Sequence, residues 1–409
     1  MLVWLAWLLI GSSLFMVAFY MNVYNNVPIN EVEARELETE PKVSILMPAY
    51  NEEGVVEGAL ESALDIEYEN LEIIFVDDGS SDSTYQKAEQ YREDPRLKLI
   101  QHPENRGKGE ALNTALENAD SEYMIVQDAD SKIDSQLIIE SVAKMESNTD
   151  TGAVITSIRP LETETFFQKL QIIEYTLTNF YRNLMSHIDV LDITPGAFSM
   201  YRTEQVKNLG GFDEDNLTED LELAWRIRKD GKSIEMAFQE SAQTEFPKTF
   251  KQLYSQRVRW ARGFIRNAYE KRDMIFNKEY GWFGRFQLPI QLVLPVLSII
   301  GFWLVAIGWF QGLFNLGIQL STTGLQNPLP QFGKLTRSLL GISVVVYIPL
   351  VASLGFSAYE LKIAYSESDM KIGNVLSLAF YFFLFFMLKG FFWMAAILKE
   401  LVGSKKTWT

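Results

Sequence analysis

Tyr123-Met124-Ile125-Val126-Gln127-Asp128-Ala129-Asp130 decides how the chain is read. Four apolar, β-prone residues run into a polar turn that carries two carboxylates. The same grammar recurs on either side. Residues 43–47 run into Pro48-Ala49-Tyr50-Asn51-Glu52-Glu53-Gly54, and residues 71–76 run into Asp77-Asp78-Gly79-Ser80-Ser81-Asp82. Residues 97–100 and 153–155 are two further short runs of this kind. Between them, Val55, Val56, Ala59, Leu60, Ala63 and Leu64 recur at helical spacing, as do the apolar residues of 82–91, 109–118 and 135–145. Asp82 and Asp134 stand where helix N-caps are expected. Strands alternating with helices predict an α/β domain around a mainly parallel sheet, covered on both faces. Ligands of such sheets bind beyond the carboxyl ends of the strands, so the polar strand ends are the candidate site.

Bulk composition narrows the chemistry. The 409 residues are 47% hydrophobic yet 22% charged, so a soluble domain and a hydrophobic part coexist. Cysteine is absent, which removes disulfides, thiolate nucleophiles and Cys-ligated zinc. His102 and His187 are the only histidines, so acid–base work falls most naturally to carboxylates. A net charge of -16 argues against nucleic-acid binding by the chain as a whole. An anionic ligand would need a local basic cluster or a divalent cation.

Apolar stretches flank the α/β pattern. Residues 2–24 lack a basic residue ahead of them and an obvious small-residue cleavage site, which favours a retained membrane anchor over a signal peptide. The expected organisation is an N-terminal transmembrane anchor over 1–27, an acidic linker over 28–41 and a catalytic domain over 42–248. A basic amphipathic interface segment over 249–287 and a C-terminal membrane region over 288–409 follow. Candidate spans are 288–310, 338–359 and 374–398, and Pro289 and Pro295 are candidate kinks in the first.

Several clusters can carry chemistry, and each also has a plain structural reading. Asn51, Asp78 and Ser80 can simply cap turns and helices. Asn105-Arg106-Gly107-Lys108-Gly109 opens a helix in a way that admits a phosphate, although it is neither a Walker A loop nor a dinucleotide fingerprint. Of Asp128 and Asp130, one can hold Mg2+ or Mn2+ on a diphosphate while the other takes a ribose hydroxyl. Thr218-Glu219-Asp220 is either ordinary helix N-terminal chemistry or the source of a general base. Residues 248–272 hold the one strongly basic stretch, interleaved with aromatics. On a helix, Gln256, Arg259 or Trp260, and Gly263 fall on one side.

Taken in order, Pro-Ala-Tyr-Asn-Glu, Val-Asp-Asp-Gly-Ser, Arg-Gly-Lys-Gly-Glu-Ala-Leu-Asn, Asp-Ala-Asp, Thr-Glu-Asp and Gln256-Arg257-Val258-Arg259-Trp260 resemble a known pattern. It is similar to the family 2 inverting glycosyltransferases, in the membrane-integrated branch of cellulose, hyaluronan, chitin and poly-N-acetylglucosamine synthases. The resemblance covers roughly residues 42–272. It implies a GT-A, Rossmann-like domain between an N-terminal and several C-terminal transmembrane helices, and a UDP-sugar donor with Mg2+ or Mn2+. It further implies that Tyr50, Glu52 and Asp78 line the nucleoside pocket, that Lys108 and Arg259 touch the diphosphate, and that Asp128 binds the nucleotide. Asp130 would hold the metal and Asp220 would be the catalytic base. Gly196, Phe198, Gln256 and Trp260 would face the acceptor.

The implied function is transfer to a growing polysaccharide, with coupled secretion, in the plasma membrane and with a cytoplasmic catalytic domain. A membrane glycolipid product is the alternative, and a non-catalytic scaffold or transporter is a reading of another class. The chain offers fewer spans than the larger members, so either a short channel forms, protomers associate as a homo-oligomer, or the product is small. The terminal Lys405 and Lys406 also sit awkwardly with three full C-terminal spans.

Overall fold

A computed structural model describes residues 2–27, 40–323, 344–368, 370 and 374–403. The linker expected over 28–41 falls almost wholly outside the described residues, as do the start of the 338–359 span, Lys405 and Lys406.

Helix α1 (Leu2–Asn26) precedes the α/β part. The elements then alternate as β1 (Val43–Ala49), α2 (Val56–Leu64), β2 (Leu71–Asp77), α3 (Thr84–Glu89), β3 (Leu97–Gln101), α4 (Lys108–Glu117) and β4 (Tyr123–Val126). Every residue of β1, β2 and β4 is buried, as a central strand covered on both faces requires. Alternation divides them between two cores. Ile45, Met47, Ile73 and Phe75 pack with Leu60 and Leu137, while Leu46, Ile74 and Val76 pack with Leu112 and Trp225 on the opposite face.

The second half is less regular. It comprises β5 (Ser131–Lys132), α5 (Ser135–Ser147), β6 (Thr151–Pro160), α6 (Phe166–His187), β7 (Ser199–Arg202), α7 (Thr203–Asn208), α8 (Glu219–Lys229) and β8 (Ser233–Thr244). Asp134 caps α5 as expected, accepting the Leu137 amide at 2.9 Å. Asp82 accepts the Thr84 amide, but Ser83 occupies the N-cap position of α3.

Among the described residues, one sheet of eight strands results, in the order β3-β2-β1-β4-β7-β6-β8-β5. Four of its seven pairings are parallel, in keeping with the expected mainly parallel sheet, and three are antiparallel. β7 enters antiparallel between β4 and β6, with Val126 opposite Ser199. That insertion brings the turn before β7 against the end of β4, where the Asp128 amide donates to Gly196 O at 2.9 Å.

Helix α9 (Phe250–Glu270) follows and leads to the apolar helices α10 (Leu288–Thr323), α11 (Val344–Ser366), α12 (Val375–Phe380) and α13 (Phe386–Leu401). Pro295 lies inside α10. Among the described residues, three helical stretches are long and apolar enough to cross a membrane: Trp7–Asn26, Phe283–Asn315 and Val375–Leu401. Gly390 lets α13 approach α10, because a Cβ there would stand 2.9 Å from the Cβ of Phe302. Glu400 ties the end of α13 to α9, accepting from Arg262 Nε at 2.5 Å and Arg266 Nε at 2.8 Å.

Candidate active site

The site forms where loops from β1, β2, β4 and β7 meet the start of α8 and one face of α9. The first two loops are locked together. Asn51 takes φ +56, a left-handed conformation that Asn tolerates. Its side-chain oxygen accepts the Ser81 amide at 2.9 Å, and its own amide donates to Ser80 Oγ at 2.9 Å.

Asp78 is buried and fully engaged. It accepts the amides of Arg106 at 3.0 Å and Gly107 at 2.7 Å, and its Oδ1 lies 2.8 Å from His102 Nδ1. It fastens the loop that launches α4, whose first residue is Lys108.

Lys108 lies at the centre of the acids. Its Nζ is 2.5 Å from Asp128 Oδ1 and 3.0 Å from Glu219 Oε1. Burial disfavours its charge, yet Asp128, Glu219 and Asp220 together hold its pKa above the usual lysine value. Asp130 sits beside this group, with Oδ1 accepting from Ser131 Oγ and Thr244 Oγ1, both at 3.1 Å. Burial first, and then the charge of Asp128, push the Asp130 carboxyl up to about 6. Burial and the charges of Asp130 and Asp128 push Glu52 up to about 7.

Asp220 opens α8 at half burial. Its Oδ1 accepts the Leu221 amide at 2.7 Å, and its carbonyl accepts from Thr194 Oγ1 at 2.6 Å. Burial, and then the neighbouring Glu219, push the carboxyl up to about 6 against the pull of Lys108 and Arg259. That value suits a base working near neutral pH.

Helix α9 starts with a reciprocal cap between Thr249 and Gln252. Gln256, Arg259 and Trp260 all face the site, so the choice between Arg259 and Trp260 dissolves. Arg259 Nη1 donates to Leu217 O at 3.2 Å. The Arg257 guanidinium lies 4.4 Å from the centre of the Trp260 ring. Gly263 lets α9 press against Thr218, the residue before Glu219 and Asp220.

A cavity of about 630 Å³ gathers Lys108, Asp128, Asp130, Gly196, Asp220, Gln256, Arg259 and Trp260 in one wall. It continues past Tyr181, Arg182 and Asp192 to Met16 of α1, Leu294 of α10 and Phe392 of α13. A second cavity of about 340 Å³ shares Asp130, Gln256 and Arg259 and adds Gln252 and Lys399.

Tyr50, Glu52, Asp78 and Phe198 do not line the larger cavity. Phe198 is fully buried in the core with Met200 and Ala197, because the chain turns into β7 at the next residue. The geometry therefore corrects the expectation that it faces an acceptor. Sequence reading also passed over Arg182, whose Nη1 is buried with no hydrogen-bond partner, and Thr244. Nothing in the local pattern of either residue marks it out.

The mixed sheet, with its acids at the strand ends, has the fold of the GT-A glycosyltransferases. A solved structure titled as a mannosyltransferase from Pyrobaculum calidifontis in complex with GDP-Man and Mn2+ superposes with a TM-score of 0.61 and 18% identity, covering 99% of this chain and 100% of that one. Residues 44–210 match the family model Glycosyl transferase family 2. It is 31% identical over 222 residues to a poly-beta-1,6-N-acetyl-D-glucosamine synthase of Staphylococcus epidermidis, covering 54% of each protein. It is 27% identical over 290 residues to a synthase of the same name from Staphylococcus aureus, covering 71% of this chain and 67% of that protein. The chain thus spans about half the length of the first of these relatives.

Proposed function

We propose that the chain is an inverting, membrane-bound glycosyltransferase that moves a sugar from a UDP-sugar onto a growing polysaccharide. One observation carries this reading: a single cavity joins Lys108, Asp128 and Asp130 to Asp220 and Trp260 and runs on to the apolar helices. Donor chemistry, a base and a sugar-stacking ring share one space that opens toward the membrane part. The name of the staphylococcal relatives makes UDP-N-acetylglucosamine the first donor to try.

A divalent cation fits the residues present. Asp130 is a half-buried carboxylate beside Asp128, and its Oδ2 has no protein partner among the described residues. No group of three or more potential protein ligands gathers among the described residues. A cation shared between one or two carboxylates and phosphate oxygens is the mode expected of Mg2+, and Mn2+ accepts the same donors. When bound, the cation would supply charge neutralisation to the leaving diphosphate.

The chain's own residues account for the rest. The acceptor hydroxyl attacks the anomeric carbon opposite UDP, and Asp220 takes its proton. A new C–O bond forms as the bond to the diphosphate breaks, and UDP leaves with the electron pair. Lys108 and Arg259 offset the charge that develops there. Trp260 offers a ring face for the acceptor sugar. Asp128 holds the nucleotide part, with Glu52, Tyr50 and Asp78 in the adjoining loops. One displacement inverts the anomeric centre without a covalent enzyme intermediate. The catalytic domain faces the cytoplasm, where UDP-sugars are made, and the helices sit in the plasma membrane.

The test is product sizing after incubation with radiolabelled UDP-sugars and Mg2+ or Mn2+. A polymer ladder supports the proposal. A single-sugar lipid product favours the glycolipid alternative, which the apolar far end around Met16, Leu294 and Phe392 can accommodate. Absence of both transfer and donor hydrolysis would leave a scaffold or transporter.

A further inference from the structure

Glu219 belongs to the same motif as Asp220, yet no role has been assigned to it. It is 2% exposed, and its Oε2 is buried without a hydrogen-bond partner. A buried carboxylate oxygen left without a donor carries its full desolvation cost, so its retention calls for a reason. Its other oxygen pairs with Lys108 Nζ at 3.0 Å, the same ammonium that pairs with Asp128 at 2.5 Å. One lysine therefore bridges the donor carboxylate in the turn after β4 and the acid beside the base on α8. Gly196 keeps the bridge open, since a Cβ there would stand 2.7 Å from both Lys108 Nζ and Asp128 Oδ2.

We propose that Glu219 is a positioning residue that couples donor binding to the strength of Asp220 as base. The inference rests on the proposed roles of Lys108 and Asp220. An arriving diphosphate draws the Lys108 ammonium toward its own oxygens. The Glu219 carboxylate then loses its counter-charge while remaining sealed from water. In a buried setting, that negative charge raises the proton affinity of the adjacent acid. The groups that face Asp220 allow this. Glu219 raises its proton affinity, Lys108 and Arg259 lower it, and Arg182 and Tyr201 also interact with it electrostatically. Of the three cations, only Lys108 is shared with both acids. The base is thus held weak in the empty enzyme and becomes strong once donor is in place.

The experiment is a pH profile of sugar transfer by the full-length protein in detergent or nanodiscs. In the wild type, the acid limb of kcat should lie above the acid limb of kcat/KM for the donor, because the first reports the donor-bound enzyme and the second the free one. Glu219→Gln keeps the shape and removes the charge. It should lower the acid limb of kcat by roughly one pH unit, a tenfold change in proton affinity, and narrow the gap between the two limbs. Glu219→Asp should restore their separation, and UDP affinity should be undiminished in both variants. A merely structural role would slow the enzyme without moving either limb. Coincident limbs in the wild type overturn the coupling even if Glu219→Gln fails to fold. Failure of the underlying reading looks different: Asp220→Asn would then still transfer sugar.

Discussion

Gly196 stands directly over the ion pair between Lys108 and Asp128, with no room for a side chain on any path between them. The antiparallel insertion of β7 creates this relationship by bringing the 194–198 turn against the end of β4. Gly196→Ala should therefore part the pair. Overpacking of this kind costs about 1–3 kcal/mol, so UDP affinity should fall roughly tenfold to a hundredfold. Calorimetric titration with UDP checks it, and circular dichroism should show an intact fold.

Asp220→Asn should keep UDP binding and lose transfer by about two to four orders of magnitude, the usual worth of a positioned acid–base group. Normal transfer by the variant would refute Asp220 as the base. The amide keeps the acceptor for the Leu221 N–H, so loss through unfolding is not expected.

Transfer should fail on the acid side. Asp220 is pushed up to about 6 by burial and by Glu219, and its useful form is the deprotonated one. The donor kcat/KM, which reports the free enzyme, should be level above that value and fall about tenfold for each pH unit below it, with saturated rates turning down at a higher pH. A rate independent of pH between about 4 and 7 would contradict the assignment.

Asp130→Asn should weaken the metal dependence of UDP binding rather than the chemical step alone. A neutral amide is a poorer ligand for a hard cation than a carboxylate. Titration of UDP affinity against Mg2+ or Mn2+ should show the cation midpoint moved to higher concentration. An unchanged midpoint would place the metal elsewhere.

Glu400→Ala should loosen the membrane helix α13 from α9 without touching substrate. It removes the carboxylate that Arg262 and Arg266 share, and hydrogen bonds to charged groups are worth about 1.5–3 kcal/mol. Thermal unfolding in detergent should shift down accordingly.

Much of this arrangement was legible along the chain. A β run that ends in acids is a local pattern, so β1, β2, β3, β4 and the positions of Asp128 and Asp130 follow from short stretches of sequence. The helical reading of α2, α4 and α5 rests on the same footing. Of the second-half strands, β6 was legible through its 153–155 run, and β5, β7 and β8 were not. β7 is four residues long. β8 is interrupted by a register shift against β6, so it shows no steady alternation of buried and exposed residues.

The sequence alone determined the order of the strand-end motifs, the presence of apolar flanking helices and the acids available to act. Those properties are carried by neighbours in the chain, where periodicity and residue type suffice. Only the tertiary structure decided which acids share a charge. Lys108, Asp128 and Glu219 are far apart in sequence and meet through the crossing of α4, β4 and α8. The same holds for Phe198, turned into the core by the start of β7, and for Arg182, delivered to the cavity by α6. Burial and pairing are sums over residues distant along the chain, and no local pattern contains them.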